Sequence, residues 1–195
     1  MGAIEANCAK KNGKWINLAE QELVDCTRDP AYFDCNGCGG GWMSWGIQYV
    51  IDKQGAVRSN NYPYHASNGK CQESDFTKAD RYCKPKELIN FPPGSYDDLI
   101  NALDDGPVAV GVNAGAWHSY SSGVLSAKDC TGPMTAINHG VVAVGWGTEN
   151  GVDYWLLRNS WGTRWGESGH LKIERNKNGL TEDNACAILE LNSQP

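Results

Sequence analysis

The order of apolar and polar residues changes character midway along the chain. In residues 2–11 the apolar positions Ala3, Ile4, Ala6 and Cys8 predict a helix, and Gly13 stands where it should end. Asn17, with Glu20 three residues on, makes a capping-box pattern ahead of Leu23 and Val24, predicting a second helix within "NLAEQELVDC". The glycine run "GCGGGW" follows, then a third helix over 42–54 closed by Gly55. The span 56–94 is rich in Asn, Pro and Cys and predicts irregular structure. Ser95 with Asp98 caps a short helix that ends at Gly106. From there the period shortens. "PVAVGV", "HGVVAVGWG", "DYWLLRN" and "GHLKIER" are rich in β-branched and aromatic residues and are separated by glycine-containing turns, so they predict strands of an antiparallel sheet or barrel. A helical part over 1–88 and a β part over 89–195 make an α+β chain, with a groove expected between the halves.

Composition narrows the classes of function. The chain has 195 residues, enough for one substantial core or for two lobes. A net charge of −6 without any basic run argues against a nucleic-acid partner. No apolar stretch approaches the length that spans a bilayer, so no membrane partner is expected. Eight cysteines spread along the chain point to disulfides that close long loops, and so to a secreted, lysosomal or vacuolar protein. The opening "MGAIEANCAKKNG" is not a signal peptide, and its helix begins in mid-pattern without a cap, so a longer natural chain is expected. Cys35 and Cys38 have the spacing of half a zinc knuckle or of a redox pair. No second pair has matching spacing, so no metal and no cofactor are expected.

Candidate chemistry gathers near the end of the chain. His139 opens one predicted strand, and Asn159 ends the next. A lone histidine at a strand start is more often packed against backbone than catalytic. Two antiparallel strands joined by a turn, however, bring these two positions side by side. An asparagine amide can accept from one ring N–H and leave the other nitrogen free as a base, and Trp161 could cover that bond from water. A base held by an orienting partner needs a nucleophile.

The sequence resembles the papain family of cysteine proteases over essentially its whole length. "LAEQELVDC" is similar to the family's S-E-Q-E-L-x-D-C, "GCGGGWM" to its G-C-N-G-G, and "GPVAVGV" to the strand that opens its β domain. "NHGVVAVGWG" and "RNSWGTRWGESGHLKI" match its histidine and asparagine motifs nearly residue for residue. The resemblance implies a two-lobed fold, a helical lobe and a β-barrel lobe with the active-site cleft between them. It implies His139 as catalytic histidine, Asn159 as its orienting partner, and Trp161 and Trp165 as shields of the site.

On the substrate side, Gly40 and Gly41 would let an extended peptide lie against bare backbone, and Trp42 and Met43 would wall the pocket for the side chain two residues before the cleaved bond. Ordinary packing is the competing reading for Trp42 and Met43. Gly111 and Leu191 fall where the family lines the rest of that pocket, and Asn138 stands beside the histidine on the substrate side. An apolar Leu191 predicts a preference for apolar side chains. The remaining tryptophans, Trp15, Trp45, Trp117, Trp146 and Trp155, are assigned to the core.

The resemblance pairs Cys26 with Cys71 and Cys130 with Cys186, gives Cys38 a partner that this sequence lacks, and leaves Cys35 and Cys83 as extra cysteines that could pair with each other. The family's nucleophilic cysteine would lie about six residues before Met1. Cys8, the one cysteine on the same helix, lies several turns too far on and reads as a buried or disulfide-bonded residue. These 195 residues by themselves are therefore expected not to hydrolyse peptides and to be poorly stable. The implied partners are a peptide or protein substrate and cystatin-type inhibitors, with the protein a monomer. A catalytically inactive homologue that binds peptides or inhibitors is the alternative, although a dead site has no physical need for His139 and Asn159. A purely structural, disulfide-stapled domain accounts for the cysteines but not for the motifs.

Overall fold

The first helix, α1 (Gly2–Asn12), turns Ala3, Ile4 and Cys8 inward, and Gly13 closes it in the left-handed conformation that glycine adopts without strain. The computed structural model describes residues 1–28, 31–32, 35–91, 96–130, 137–175 and 189–194. These fall into two compact units, Met1–Ile89 with Ser193–Pro195, and Asn90–Asn192.

The first unit carries α1, α2 (Glu20–Cys26) and α3 (Met43–Asp52). Its predicted capping box does not form. The second helix starts after Ala19 without a side-chain cap, and Asn17 instead accepts the Trp15 indole N–H at 2.6 Å. The reason is a competing pairing. Leu18 bridges Arg58, Ala19 N–H donates to Val57, and Ser59 N–H donates to Asn17, so this stretch is extended rather than helical. The same local bond leaves Trp15 47% exposed, against the expectation that it is core.

Residues 53–86 contain little regular structure, yet buried side chains of α2 organise them. Glu22 accepts from Val57 N–H, from the Tyr49 hydroxyl at 3.0 Å and from Arg81 Nη1 at 2.7 Å, while Arg81 also donates to the Gly55 carbonyl. Burial, and then the Glu22 charge, push the Tyr49 hydroxyl far above its ordinary range. Asp25 accepts from Gly69 N–H and from the Tyr62 hydroxyl at 2.9 Å, and Gln21 donates to the Ser67 carbonyl. Three polar positions of "EQELVDC", Gln21, Glu22 and Asp25, thus face inward and satisfy loop backbone that has no ladder of its own.

Two disulfides close the unit, Cys26–Cys71 as the resemblance implies and Cys8–Cys83. The second corrects the Cys35–Cys83 pairing; Cys83 is taken by α1, and Cys35 and Cys38 are free thiols. The Cys8–Cys83 bond spans 75 residues, so its removal frees a long loop in the unfolded chain. Replacing both cysteines with alanine is expected to lower unfolding free energy by about 3 kcal/mol, read by urea denaturation. A loss below about 1 kcal/mol would show that the bond merely decorates α1.

The strand β1 (Glu87–Asn90) leads to the second unit, which carries α4 (Tyr96–Asp105) and most of a mixed sheet. Ser95, the expected cap of α4, lies outside the described residues. The further strands are β2 (Val108–Val112), β3 (Val124–Leu125), β4 (His139–Glu149), β5 (Val152–Arg158), β6 (His170–Glu174) and β7 (Leu189–Gln194), running in the order β7-β2-β4-β5-β6-β3. The four strands expected from the sequence, β2, β4, β5 and β6, pair antiparallel, as does β7 with β2, and the two-residue β3 adds a parallel pairing to β6 that makes the sheet mixed. Every residue of β2 is buried, whereas β6 alternates, with Leu171 and Ile173 inward. Asn150 and Gly151 both take positive φ, the geometry of a tight hairpin turn between β4 and β5.

The core joins Leu99 of α4 to Val110, Val141, Leu157, Leu171, Trp117 and Trp155. Trp45 is half-buried. Trp146 is a second correction among the core tryptophans: it is 47% exposed on β4, with the Arg175 guanidinium 4.8 Å from its ring centroid.

Candidate active site

The hairpin places the candidate pair. β4 begins at His139, opposite Val112 of β2, and β5 returns antiparallel to end at Arg158, opposite Val142. Asn159 follows, anchored by its N–H to the Gly169 carbonyl at 2.9 Å. His139 Nε2 and Asn159 Oδ1 are 2.8 Å apart. The amide orientation is defined by a second bond, because the Ser160 N–H donates to the same Oδ1 at 2.8 Å. That atom is therefore an acceptor, so Nε2 carries the proton and donates. In the neutral ring, Nδ1 is then the nitrogen with a free lone pair. Asn159 is buried, and its Nδ2 has no hydrogen-bond partner among the described residues.

Aromatic rings surround this bond. The Trp161 indole lies 5.2 Å from the His139 ring, tilted by 35°, and Trp165 meets Trp161 edge-on at 5.0 Å. Trp165 Nε1 donates to the Trp117 carbonyl, and the buried Trp117 ring stands edge-on to His139 at 6.0 Å. Trp117 is core, as expected, and also a wall of the site. His118, which no sequence motif singles out, stacks on Trp161 at 5.1 Å. Both contacts come from the segment after β2, far from His139 in sequence.

The loop from Asn159 to β6 is held tightly. Gly166 has φ +54, and a Cβ there would meet the His170 carbonyl at 2.5 Å, so the turn after Trp165 requires glycine. Glu167 accepts Gly123 N–H at 2.8 Å and pairs with Lys172 at 2.9 Å. The Lys172 ammonium, and then that N–H, hold the Glu167 carboxyl below its ordinary value of 4.5. A depressed folded-state value means stability that is present above 4.5 and lost as pH falls below it. Glu167→Gln should therefore flatten the fall of melting temperature on the acid side of that value, and an unchanged pH dependence would count against this anchor.

The substrate-side candidates divide between the units. Asn138 clasps the turn after β2: its Oδ1 accepts Ala114 N–H at 2.9 Å and its amide donates to Asn113. Gly111 lies buried in β2 opposite Gly140. Leu191 pairs in register with Ala109, and its side chain is outside the described residues. Gly40, Gly41, Trp42 and Met43 belong to the first unit. There Gly40 bonds within its own loop through both N–H and carbonyl, whereas Gly41 makes no hydrogen bond among the described residues. Trp42 is 40% exposed, and Met43, half-buried, begins α3. Cys130 is disulfide-bonded, Cys186 lies outside the described residues, and no free thiol is found among the described residues of the second unit.

A family model described as papain family cysteine protease matches residues 1–195. The chain is 39% identical to cathepsin S of Mus musculus, covering 100% of this chain and 55% of that protein. It is 36% identical to digestive cysteine proteinase 3 of Homarus americanus, covering 100% of this chain and 57% of that protein. The chain thus spans about half the length of the curated relatives it matches. Among solved structures, bromelain protease from Ananas comosus in complex with the E64 inhibitor superposes with a TM-score of 0.83 at 30% identity, over 98% of this chain and 84% of that one. Digestive procathepsin L 3 of Tenebrio molitor larval midgut gives 0.83 at 34% identity, over 99% of this chain and 60% of that one.

Proposed function

Because the chain belongs to the papain family of cysteine proteases, we propose that the protein is a cysteine-type peptidase in which His139 moves the proton and Asn159 orients the ring. The observation that carries this reading is the 2.8 Å bond from Nε2 to Oδ1, with the amide orientation set by Ser160 N–H. It leaves Nδ1 as the acceptor for a thiol proton. The nucleophile is a cysteine outside these 195 residues, as the family resemblance implies.

The chemistry then runs as two acyl transfers. Nδ1 takes the thiol proton, and the thiolate sulfur attacks the peptide carbonyl carbon. The imidazolium returns that proton to the leaving amine as the C–N bond breaks, leaving a thioester. Water, deprotonated by the same Nδ1, attacks the thioester carbon; the C–S bond breaks, the acid product is released, and the sulfur remains as a thiolate beside the imidazolium that holds the water's proton. Asn159 keeps Nε2–H committed throughout, so the ring presents one nitrogen to the reaction. On the substrate side, the free backbone of Gly41, with Gly40, Trp42 and Met43, supports an extended peptide bound as an added strand, and Gly111, Asn138 and Leu191 complete the contacts. An apolar residue two positions before the cleaved bond is preferred. The protein acts in a lysosomal, vacuolar or extracellular compartment and accepts cystatin-type inhibitors.

Asn159→Ala tests the orienting role. It is expected to lower kcat/KM on a peptidyl fluorogenic substrate by about tenfold to a hundredfold, with KM little changed. An effect confined to KM would assign Asn159 to binding instead. The 195-residue chain by itself should show no turnover, and turnover that survives thiol alkylation would overturn the cysteine mechanism.

A further inference from the structure

We infer that His118 is a positioning residue, whose ring holds the Trp161 indole against His139 and so keeps water from the His139–Asn159 hydrogen bond. Trp161 is half-buried, and its indole N–H has no hydrogen-bond partner among the described residues. Its placement therefore rests on packing, against the buried core and through ring contacts. Three of these meet it at an angle: Trp117 at 6.4 Å and 64°, Trp165 at 5.0 Å and 76°, and His139 at 5.2 Å and 35°. The two edge-on tryptophans limit sliding, and the tilted His139 ring does not lie flat on the indole. His118 is the parallel neighbour, 5.1 Å from Trp161 with 10° between the planes.

His118 is itself exposed and makes no hydrogen bond or ion pair among the described residues, so the stack on Trp161 is what orders it. Both imidazoles pack against the one indole, and no ring pairing joins them to each other among the described residues. The preceding residue anchors the grip. Trp117 is fully buried, its ring stands against His139, and its carbonyl takes the Trp165 N–H. The Trp117-His118 pair thereby holds Trp161 from two sides, one ring from within the core and one from solvent.

The catalytic consequence rests on the peptidase reading above; the ring geometry does not, and the experiment reads the geometry. The exchange with water of the His139 Nε2 proton is followed by NMR in the whole, nitrogen-15-labelled protein, alongside the melting temperature. His118→Ala is expected to speed that exchange by about tenfold or more, because the cover opens locally while the fold persists. His118→Phe, which restores a flat ring without its nitrogens, should return the exchange to the original rate. Unchanged exchange in the alanine variant overturns the inference, and so does a phenylalanine variant that folds normally but exchanges as fast as alanine. Neither result depends on turnover. A protein that cuts no peptide but shows this pattern sinks the peptidase reading and leaves the role of His118 standing.

Discussion

Replacing His139 with alanine in the complete protein should lower kcat/KM by about a thousandfold or more, with the folded structure retained. The size follows from the two tasks that one ring performs. Nδ1 generates the thiolate, and the imidazolium then protonates the amine, so without the ring both the attack and the departure of the leaving group lose their proton carrier. Each such transfer contributes on the order of a hundredfold to ten-thousandfold. Stability should be little affected. The residue is half-buried at a strand start, and its side chain's one hydrogen bond among the described residues is to Asn159, which keeps the Ser160 N–H as a donor. Steady-state assay on a peptidyl fluorogenic substrate, with a melting curve as control, checks both parts. A drop of less than about tenfold would move the base elsewhere.

Arg81→Met should destabilise the first unit by about 4 kcal/mol. Arg81 and Glu22 are both buried, and Nη1 lies 2.7 Å from Oε1. Removing the guanidinium leaves the carboxylate inside with two neutral donors, the Tyr49 hydroxyl and Val57 N–H, and no ion-pair partner among the described residues. It also strips the Gly55 carbonyl of its donor. The cost is that of an uncompensated buried charge rather than the worth of a salt bridge, so the double variant Glu22→Met with Arg81→Met should recover part of the loss. Chemical denaturation of the three variants decides the matter. A single-variant loss under about 1 kcal/mol would mean that water reaches Glu22 and screens it.

The parts of the fold and site that were legible in the sequence are those set by local periodicity. Strand alternation in "HGVVAVGWG" and "DYWLLRN", with Asn150-Gly151 between them, dictates an antiparallel hairpin, and the hairpin brings His139 toward Asn159. Helix α1 and its Gly13 stop follow from spacing alone. What was not legible depends on residues distant in sequence. The Asn17 cap competes with extended pairing to residues 57–59, and tertiary pairing wins. Arg81 meets Glu22 across 59 positions, and Cys8 meets Cys83 across 75, distances at which spacing carries no connectivity. Trp117 and His118 reach the site from a loop without a period, so nothing local marked them. Trp146 shows the converse: an aromatic residue on a strand reads as core, yet it stays 47% exposed with the Arg175 guanidinium against its ring.

The most direct measurement is to treat the protein, isolated from its natural source, with iodoacetamide at limiting concentration, follow the loss of peptidase activity, and map the alkylated residue by mass spectrometry. The proposed mechanism predicts that one equivalent abolishes activity and that the label sits on a cysteine outside residues 1–195, because a thiolate paired with His139 reacts first. Activity that persists after alkylation, or loss of activity that tracks a label on Cys35 or Cys38, would contradict it.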